Sequence, residues 1–249
     1  GGGAAKSWVV RVQSSGVTID GFTVQNPTLE YGSAGLFCVE ALEENPYQNL
    51  VFRNNILQNP GLKTSPSTDW GKFGYDIGYC ENVLIEYNYI RDILCDTATP
   101  WNGTAGIWPW NTNDVTIRYN KIEHVTTFGI GLSDTNNNVF IFENEVSLSD
   151  PGEGAVPSVR TAGIRVGPVE NYDIRIESNS VSDCPGTVEK PGAGIRIQSL
   201  QGYDTGSTHA IDNVVTGCPV GIDARNHLVA STLVGNRING CDIGIRLIE

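Results

Sequence analysis

Apolar and polar positions alternate in short runs along the chain, and no stretch carries apolar residues at helical spacing. The runs share a repeat of the form apolar-x-x-Asn-x-apolar. It reads Val51-Phe52-Arg53-Asn54-Asn55-Ile56, Ile85-Glu86-Tyr87-Asn88-Tyr89-Ile90, Ile117-Arg118-Tyr119-Asn120-Lys121-Ile122 and Ile141-Phe142-Glu143-Asn144-Glu145-Val146. Further copies run from Ile176 to Val181, Ala210 to Val215 and Leu233 to Ile238, and Val17 to Val24 is a first copy with Gly21 at its corner. The Asn residues at 54, 88, 120, 144, 179, 213 and 236 are about 23 to 35 residues apart, a solenoid period.

Between these copies lies a second motif, Gly followed by an aliphatic residue: Gly35-Leu36, Gly106-Ile107, Gly129-Ile130, Gly163-Ile164, Gly194-Ile195, Gly221-Ile222 and Gly244-Ile245. Alternation around each pair predicts a strand. Each period therefore holds three short strands: one after the Gly pair, one before the Asn and one after it. Such strands bury nothing singly, but stacked in parallel at about 4.8 Å they share one core. The predicted fold is all-β, a right-handed parallel β-helix of about eight coils, forming one domain over residues 1–249. The Asn residues then form a corner column, taking left-handed backbone and bonding amide to amide. A β-propeller would need four strands per period and an antiparallel turn grammar, which the sequence lacks.

The segments Val17 to Val24, Asn82 to Ile90 and Asp114 to Ile122, with the Gly-Ile strands, resemble the pectate-lyase-like superfamily of parallel β-helix proteins over nearly the whole chain. That superfamily holds polysaccharide lyases, glycoside hydrolases, epimerases, phage tailspikes and non-catalytic surface repeats. The resemblance implies that a substrate would lie along the outside of the first strand of each coil. The chain departs from the enzymes' signatures. It lacks the calcium-binding acidic cluster and Trp-x-Asp-His of pectate lyases, the Asn-Thr-Asp, Asp-Asp and Gly-His-Gly elements of polygalacturonases, and the Asp-Pro-His of mannuronan epimerases.

With the aliphatic residue of each Gly pair inward, the next residue points out. The outward column reads Phe37, Asp76, Trp108, Gly131, Arg165, Arg196, Asp223 and Arg246. The column two residues later reads Val39, Gly78, Trp110, Ser133, Gly167, Gln198 and Arg225. Segments 60–74, 94–106 and 150–163, carrying Trp70 and Trp101, crowd the same face. Trp108, Trp110 and Trp101 offer flat surfaces for sugar rings, Arg forks suit carboxylates, and Gln198 and Arg225 extend the trough. The opposing reading is a surface salt-bridge ladder of Arg196, Asp223 and Arg246.

Charge sharpens this picture. The chain carries 16 basic and 28 acidic residues, a net −12, which repels nucleic acid and anionic lipid. Arg nevertheless gathers on one predicted face, which points to an acidic polysaccharide. For catalysis, Arg165 and Arg196 would neutralise a uronate, and Asp76 and Asp134, two coils apart, would form the carboxylate pair. His124, His209, Lys72 and Tyr75 are the candidate bases. No nucleotide loop, HExxH motif or nucleophile elbow is present. No cofactor or metal is expected, with calcium the one ion left open. The alternative is a non-catalytic adhesive or structural solenoid segment.

The six Cys show no CxxC spacing. Cys184, Cys218 and Cys241 each follow their Asn by five residues and should stack in one column, as buried thiols or with one bridge. Cys38 and Cys80 form another candidate pair. With no apolar run of membrane-spanning length, and Asn102-Gly103-Thr104 as the single glycosylation triplet, the expected setting is extracellular or cell-surface. The absence of Met and of a capping helix reads as a segment of a longer protein, whose coil ends would be covered by flanking sequence or a neighbouring chain.

Overall fold

The computed structural model describes residues 7–25, 34–60, 71–94, 104–149, 161–167, 171–186, 191–198, 206–225 and 230–248. Every strand pairing between coils is parallel, and the chain returns to each face once per period. The first face stacks Ser7–Val12, Ala34–Glu40, Lys72–Gly78, the start of Ala105–Arg118, Phe128–Gly131, Ala162–Val166, Ala193–Gln198, Val220–Arg225 and Ile243–Ile248. The second face runs from Thr18–Asp20 through Tyr47–Arg53 and Cys80–Glu86 to Thr232–Val234. The third is an 8-stranded sheet from Thr23–Gln25 to Arg237–Asn239, which fixes the number of complete coils. No helix long and apolar enough to cross a membrane occurs among the described residues.

The core fills the space between the faces with columns of like residues. Ile107, Ile130, Ile164, Ile195 and Ile222 are all fully buried, and Ile90, Ile122, Val146, Val181 and Val215 answer them from the third face. The Gly before each first-face Ile has a steric cause. A Cβ on Gly129, Gly163 or Gly194 would stand 2.2 Å from Cγ1 of Val146, Val181 or Val215. Only glycine lets the first strand come this close to the third sheet.

The corner asparagines form a ladder. From Asn88 onward each Oδ1 accepts both the backbone N–H and the Nδ2 of the ladder Asn one coil earlier, as Asn144 Oδ1 does from Asn120 at 3.0 Å each, and the first, Asn55 Oδ1, accepts from Phe22 N at 2.9 Å. Each Nδ2 also donates to a core-strand carbonyl of the preceding coil, as Asn120 Nδ2 does to Ile85 O at 2.9 Å. The series runs Asn55, Asn88, Asn120, Asn144, Asn179, Asn213, Asn236. Two details correct the sequence reading. The first member is Asn55 rather than Asn54, because Phe52 pairs with Ile85 and Leu57 with Ile90. The left-handed residue is not the ladder Asn but the one before it. Asn54, Tyr87, Tyr119, Glu143, Ser178 and Asp212 have φ between 51° and 55°, with Gly21 and Gly235 in the same column. The chain turns there, which leaves the following Asn in ordinary backbone with its amide pointing along the stack.

The five described cysteines are free thiols. Cys184, Cys218 and Cys241 share a column, with Cys184 and Cys218 buried in the core cluster and Cys241 packed against it. Burial pushes the Cys184 thiol well up. Cys38 and Cys80 are not a pair. Cys38 stacks on Asp76 in the first face, whereas Cys80 stacks on Tyr47 in the second.

Candidate functional site

The outward column of the first face is in register from Asp76 onward. Asp76 pairs with Trp108, and Gly131, Arg165, Arg196, Asp223 and Arg246 follow at the same height of each strand. The early coil departs by one residue: Gly35 pairs with Phe73, not Gly74, so Phe37 points into the core and Cys38 takes the outward place. Likewise Glu40, not Val39, pairs with Gly78 in the column of Trp110, while Ser133, Gln198 and Arg225 stand as expected.

Trp108 and Trp110 leave one strand two residues apart, and each ring lies over a glycine of a neighbouring coil. A Cβ on Gly131 would stand 2.6 Å from the Trp108 ring, and one on Gly78 2.2 Å from the Trp110 ring. Trp108 also belongs to an apolar cluster outside the main core, built on Phe73, Ala105, Phe128 and Ala162. Its ring centroid is 5.8 Å from Phe73 and 5.6 Å from Phe128. The Arg165 guanidinium covers this stack, 5.0 Å from the Phe128 centroid and 6.0 Å from that of Trp108. Trp110 donates Nε1–H to Asp76 Oδ1 at 2.7 Å and meets the Tyr79 ring edge-on at 4.9 Å. Both Trp rings remain half-buried. They are fixed in place yet reach solvent.

The upper half of the column is a different object. Asp223 and Arg196 are fully buried, and Asp223 is gripped by Arg196 at 3.0 Å, Arg225 at 2.7 Å and Arg246 at 2.8 Å. Arg196 also donates to Pro191 O at 2.9 Å. Burial works against the Asp223 charge, yet hydrogen bonds from Arg246 and Arg225 and the charge of Arg196 hold the carboxyl down at about 2. Burial lowers Arg196 to about 10 against the pull of Asp223. The expected surface ladder is therefore an ion cluster built on a buried Arg196–Asp223 pair with Arg225 and Arg246 partly exposed around it, and Arg196 is not placed to meet a substrate carboxylate.

Asp134 sits at a left-handed corner, φ 56°, just after Ser133. Burial pushes its carboxyl up, against the pull of Arg165. It does not pair with Asp76. The two lie two coils apart along the axis and are also offset by three residues along the strand, about 14 Å of backbone in total. An inverting pair needs its carboxyl groups about 6.5 to 9.5 Å apart, which this backbone spacing reaches only if both side chains lean toward each other. Tyr75 is no base either. Its fully buried hydroxyl donates to Asn88 Oδ1 at 2.9 Å and accepts from Asn55 Nδ2 at 3.1 Å, and burial pushes its pKa up. Lys72 is buried in the first face, and exposed His124 lies 3.3 Å from Asp92. His209 pairs with Arg175 on the second face, away from the Trp residues. Trp101 and Trp70, with most of the three long segments, lie outside the described residues. No group of three His, Cys, Asp or Glu side chains able to hold a metal occurs among the described residues.

One concavity had no expectation attached to it. Residues 41–46 stand where the next coil has Tyr79 alone, between paired Glu40–Gly78 and Tyr47–Cys80. The extra residues fold on themselves through a bridge between Leu42 and Asn45. They wall a groove of about 380 Å³ that continues from Tyr79 to Asn113 and Asn137 on the second face.

A family described as right handed beta helix region matches residues 8–238. No curated protein sequence matches. Among solved structures, the chain is similar to the Dettilon tailspike protein at 13% identity and a TM-score of 0.43, over 98% of this chain and 61% of that one. It is similar to the A-module of Azotobacter vinelandii mannuronan C-5 epimerase AlgE4 at 12% identity and 0.35, over 95% and 76%. It is also similar to PfbA, a surface adhesin of Streptococcus pneumoniae, at 9% identity and 0.42, over 95% and 73%. The chain thus spans less than two thirds of the tailspike's length.

Proposed function

We propose, from the premise that the chain belongs to the right-handed β-helix family, that its first face binds a polysaccharide outside the cell. One observation carries this reading: Trp108 and Trp110, two residues apart on one strand, are each packed over a glycine, Trp108 on the following coil and Trp110 on the preceding one, and both remain partly exposed. Rigid aromatic surfaces lose little entropy on binding and stack on the C–H faces of sugar rings. Half-buried Asp134, within the pull of Arg165, supplies a polar group at the rim, while buried Asp76 anchors the Trp110 indole. Stacked coils repeat the surface along one axis, which suits a linear polymer.

The acidic character expected of the ligand rests on fewer accessible cations than the Arg column implied. Arg196 is buried against Asp223 and Arg165 lies against aromatic rings, whereas Arg225 and Arg246 share the single Asp223 charge with Arg196 and stay partly exposed. The rings carry the proposed affinity, and the excess positive charge at Arg225 and Arg246 adds attraction for an acidic polymer.

The test is affinity electrophoresis through gels containing neutral or uronate polysaccharides, with reducing-end and unsaturated-product assays on the same samples. Retardation that falls at least 10-fold in Trp108→Ala and Trp110→Ala, with folding confirmed by thermal melting, supports the reading. Retardation unchanged in both variants, or none with any polymer, overturns it. Accumulating product would replace binding with catalysis.

A further inference from the structure

We infer that the groove walled by residues 41–46 is a second saccharide subsite, selective for uncharged sugars. It deepens the polysaccharide reading in the kind of ligand, but it does not depend on the Trp108 contact. The position is set by the chain itself. At this corner the neighbouring coils turn on one left-handed residue, Tyr79 or Asn111. The longer turn at 41–46 rises beside them and converts a convex corner into a concave one. The volume, about 380 Å³, lies within the usual range for small-ligand sites.

The lining chemistry selects the ligand. Asn111, Asn113 and Asn137 offer amides, Thr135 a hydroxyl, and Glu43 and Glu81 carboxylates, while the buried Thr112 hydroxyl is engaged by Asn136 Oδ1 at 2.7 Å. No Lys, Arg or His lines it. An anionic sugar entering would face two carboxylates with no counter-charge, in a chain of net charge −12. Sugar hydroxyls, by contrast, donate to carboxylates and exchange hydrogen bonds with amides.

The polar groups are also pre-positioned. Asn137 Nδ2 donates to Asn113 Oδ1 at 3.0 Å, and Gln48 Nε2 donates to Glu81 Oε2 at 2.8 Å. The Asn111 side-chain oxygen accepts from Thr135 N at 3.2 Å, which turns its amide nitrogen outward. These bonds hold one end of Asn137, Asn111 and Glu81 and leave the other for a ligand, while the Asn113 amide is tied at both ends, its Nδ2 donating to Asp114 Oδ2 at 3.3 Å, and keeps its second N–H for a ligand. The Tyr79 ring lines the groove and touches Trp110, so a polymer on the first face can turn the corner without leaving the surface.

The test uses the whole chain and three hexasaccharide probes, cellohexaose, mannohexaose and hexagalacturonate, by isothermal titration and ligand-observed NMR. The variants are Asn113→Ala, Tyr79→Asn, which keeps a residue tolerant of the left-handed backbone, and Glu43→Gln/Glu81→Gln. The expected result is binding of a neutral probe that weakens at least 10-fold in Asn113→Ala and Tyr79→Asn. Hexagalacturonate should gain affinity only when both carboxylates are removed. Neutral-probe binding lost in Trp108→Ala but unchanged in the groove variants overturns the subsite and leaves the first-face reading standing. The reverse pattern keeps the subsite and overturns the first-face reading. Preference for hexagalacturonate by the unaltered chain, or no binding of a neutral probe, overturns the subsite.

Discussion

Asn88 and Asn120 are joined twice: Asn120 Oδ1 accepts the Asn88 backbone N–H at 3.0 Å and the Asn88 Nδ2 at 2.9 Å. The pair converts a corner, where backbone groups would be stranded, into a fully bonded seam. Removing it should be expensive. Asn120→Ala strands the buried Asn88 N–H and the Ile85 carbonyl, each costing about 1–3 kcal/mol, so we expect a loss of about 3–5 kcal/mol. Asn54→Ala, at the exposed turn residue, should cost no more than about 2 kcal/mol. Urea unfolding of the two variants checks the contrast, and equal losses would refute the assignment of the ladder to Asn55.

The same turn column predicts gains. Ser178 and Glu143 are exposed and hold left-handed backbone at φ 55° and 51°. Ser178→Gly and Glu143→Gly relieve the Cβ clash at that φ, against the extra freedom glycine gives the unfolded chain. A net stabilisation of about 0.5–1 kcal/mol per site is expected, read as a rise in the urea midpoint at constant slope.

The Asp223 cluster makes stability depend on acid. Its folded-state carboxyl ionises at about 2, below its ordinary 3.8. The contribution is therefore complete above about pH 4 and is lost as pH falls toward 2. Asp223→Asn leaves Arg196 buried without its counter-charge, a loss of about 3–5 kcal/mol at neutral pH. The gap between the two proteins should narrow as pH drops through that window. A gap independent of pH would show that the cluster contributes packing and not charge.

Thiol reactivity should follow the column. Cys241 is partly exposed, whereas Cys38, Cys80, Cys184 and Cys218 are buried, and burial pushes Cys80 up to about 12. Among these five, Cys241 should react with an aromatic disulfide in the native state at least about 100-fold faster than Cys184. Mass mapping of the labelled peptides checks this, and prior labelling of Cys184 would contradict the burial.

The placement of Trp108 should be sensitive to a single methyl group. Gly131→Ala puts a Cβ 2.6 Å from its ring, so the ring must move. The expected outcome is a shifted Trp emission maximum and weaker polysaccharide retardation with the fold retained. Unchanged emission and binding would separate the ring from the glycine beneath it.

The coil repeat was legible because each corner demands the same residue, and Asn recurs wherever two donors and two acceptors must be met at once. Register failed where the local signal was doubled. Asn54 and Asn55 spell the motif equally well, and the apolar run Gly35-Leu36-Phe37 offers two inward choices. Alternation correctly aimed Asp76, Trp108, Arg165 and Arg196 outward. It could not say that Asp223 would enclose Arg196, because direction from a strand does not reveal what lies beyond it. The groove was hidden for a related reason. Its wall at residues 41–46 becomes meaningful only once Tyr47 is known to sit beside Cys80.

Ladder partners Asn120 and Asn144 are 24 residues apart, while Asn144 and Asn179 are 35 apart, yet both pairs close with the same bonds. Chain length between rungs is thus uncoupled from rung height. A graft at one corner changes what that level displays without altering the pitch above or below it, so the rod acts as a ruler on which binding epitopes can be added, removed or respaced one level at a time.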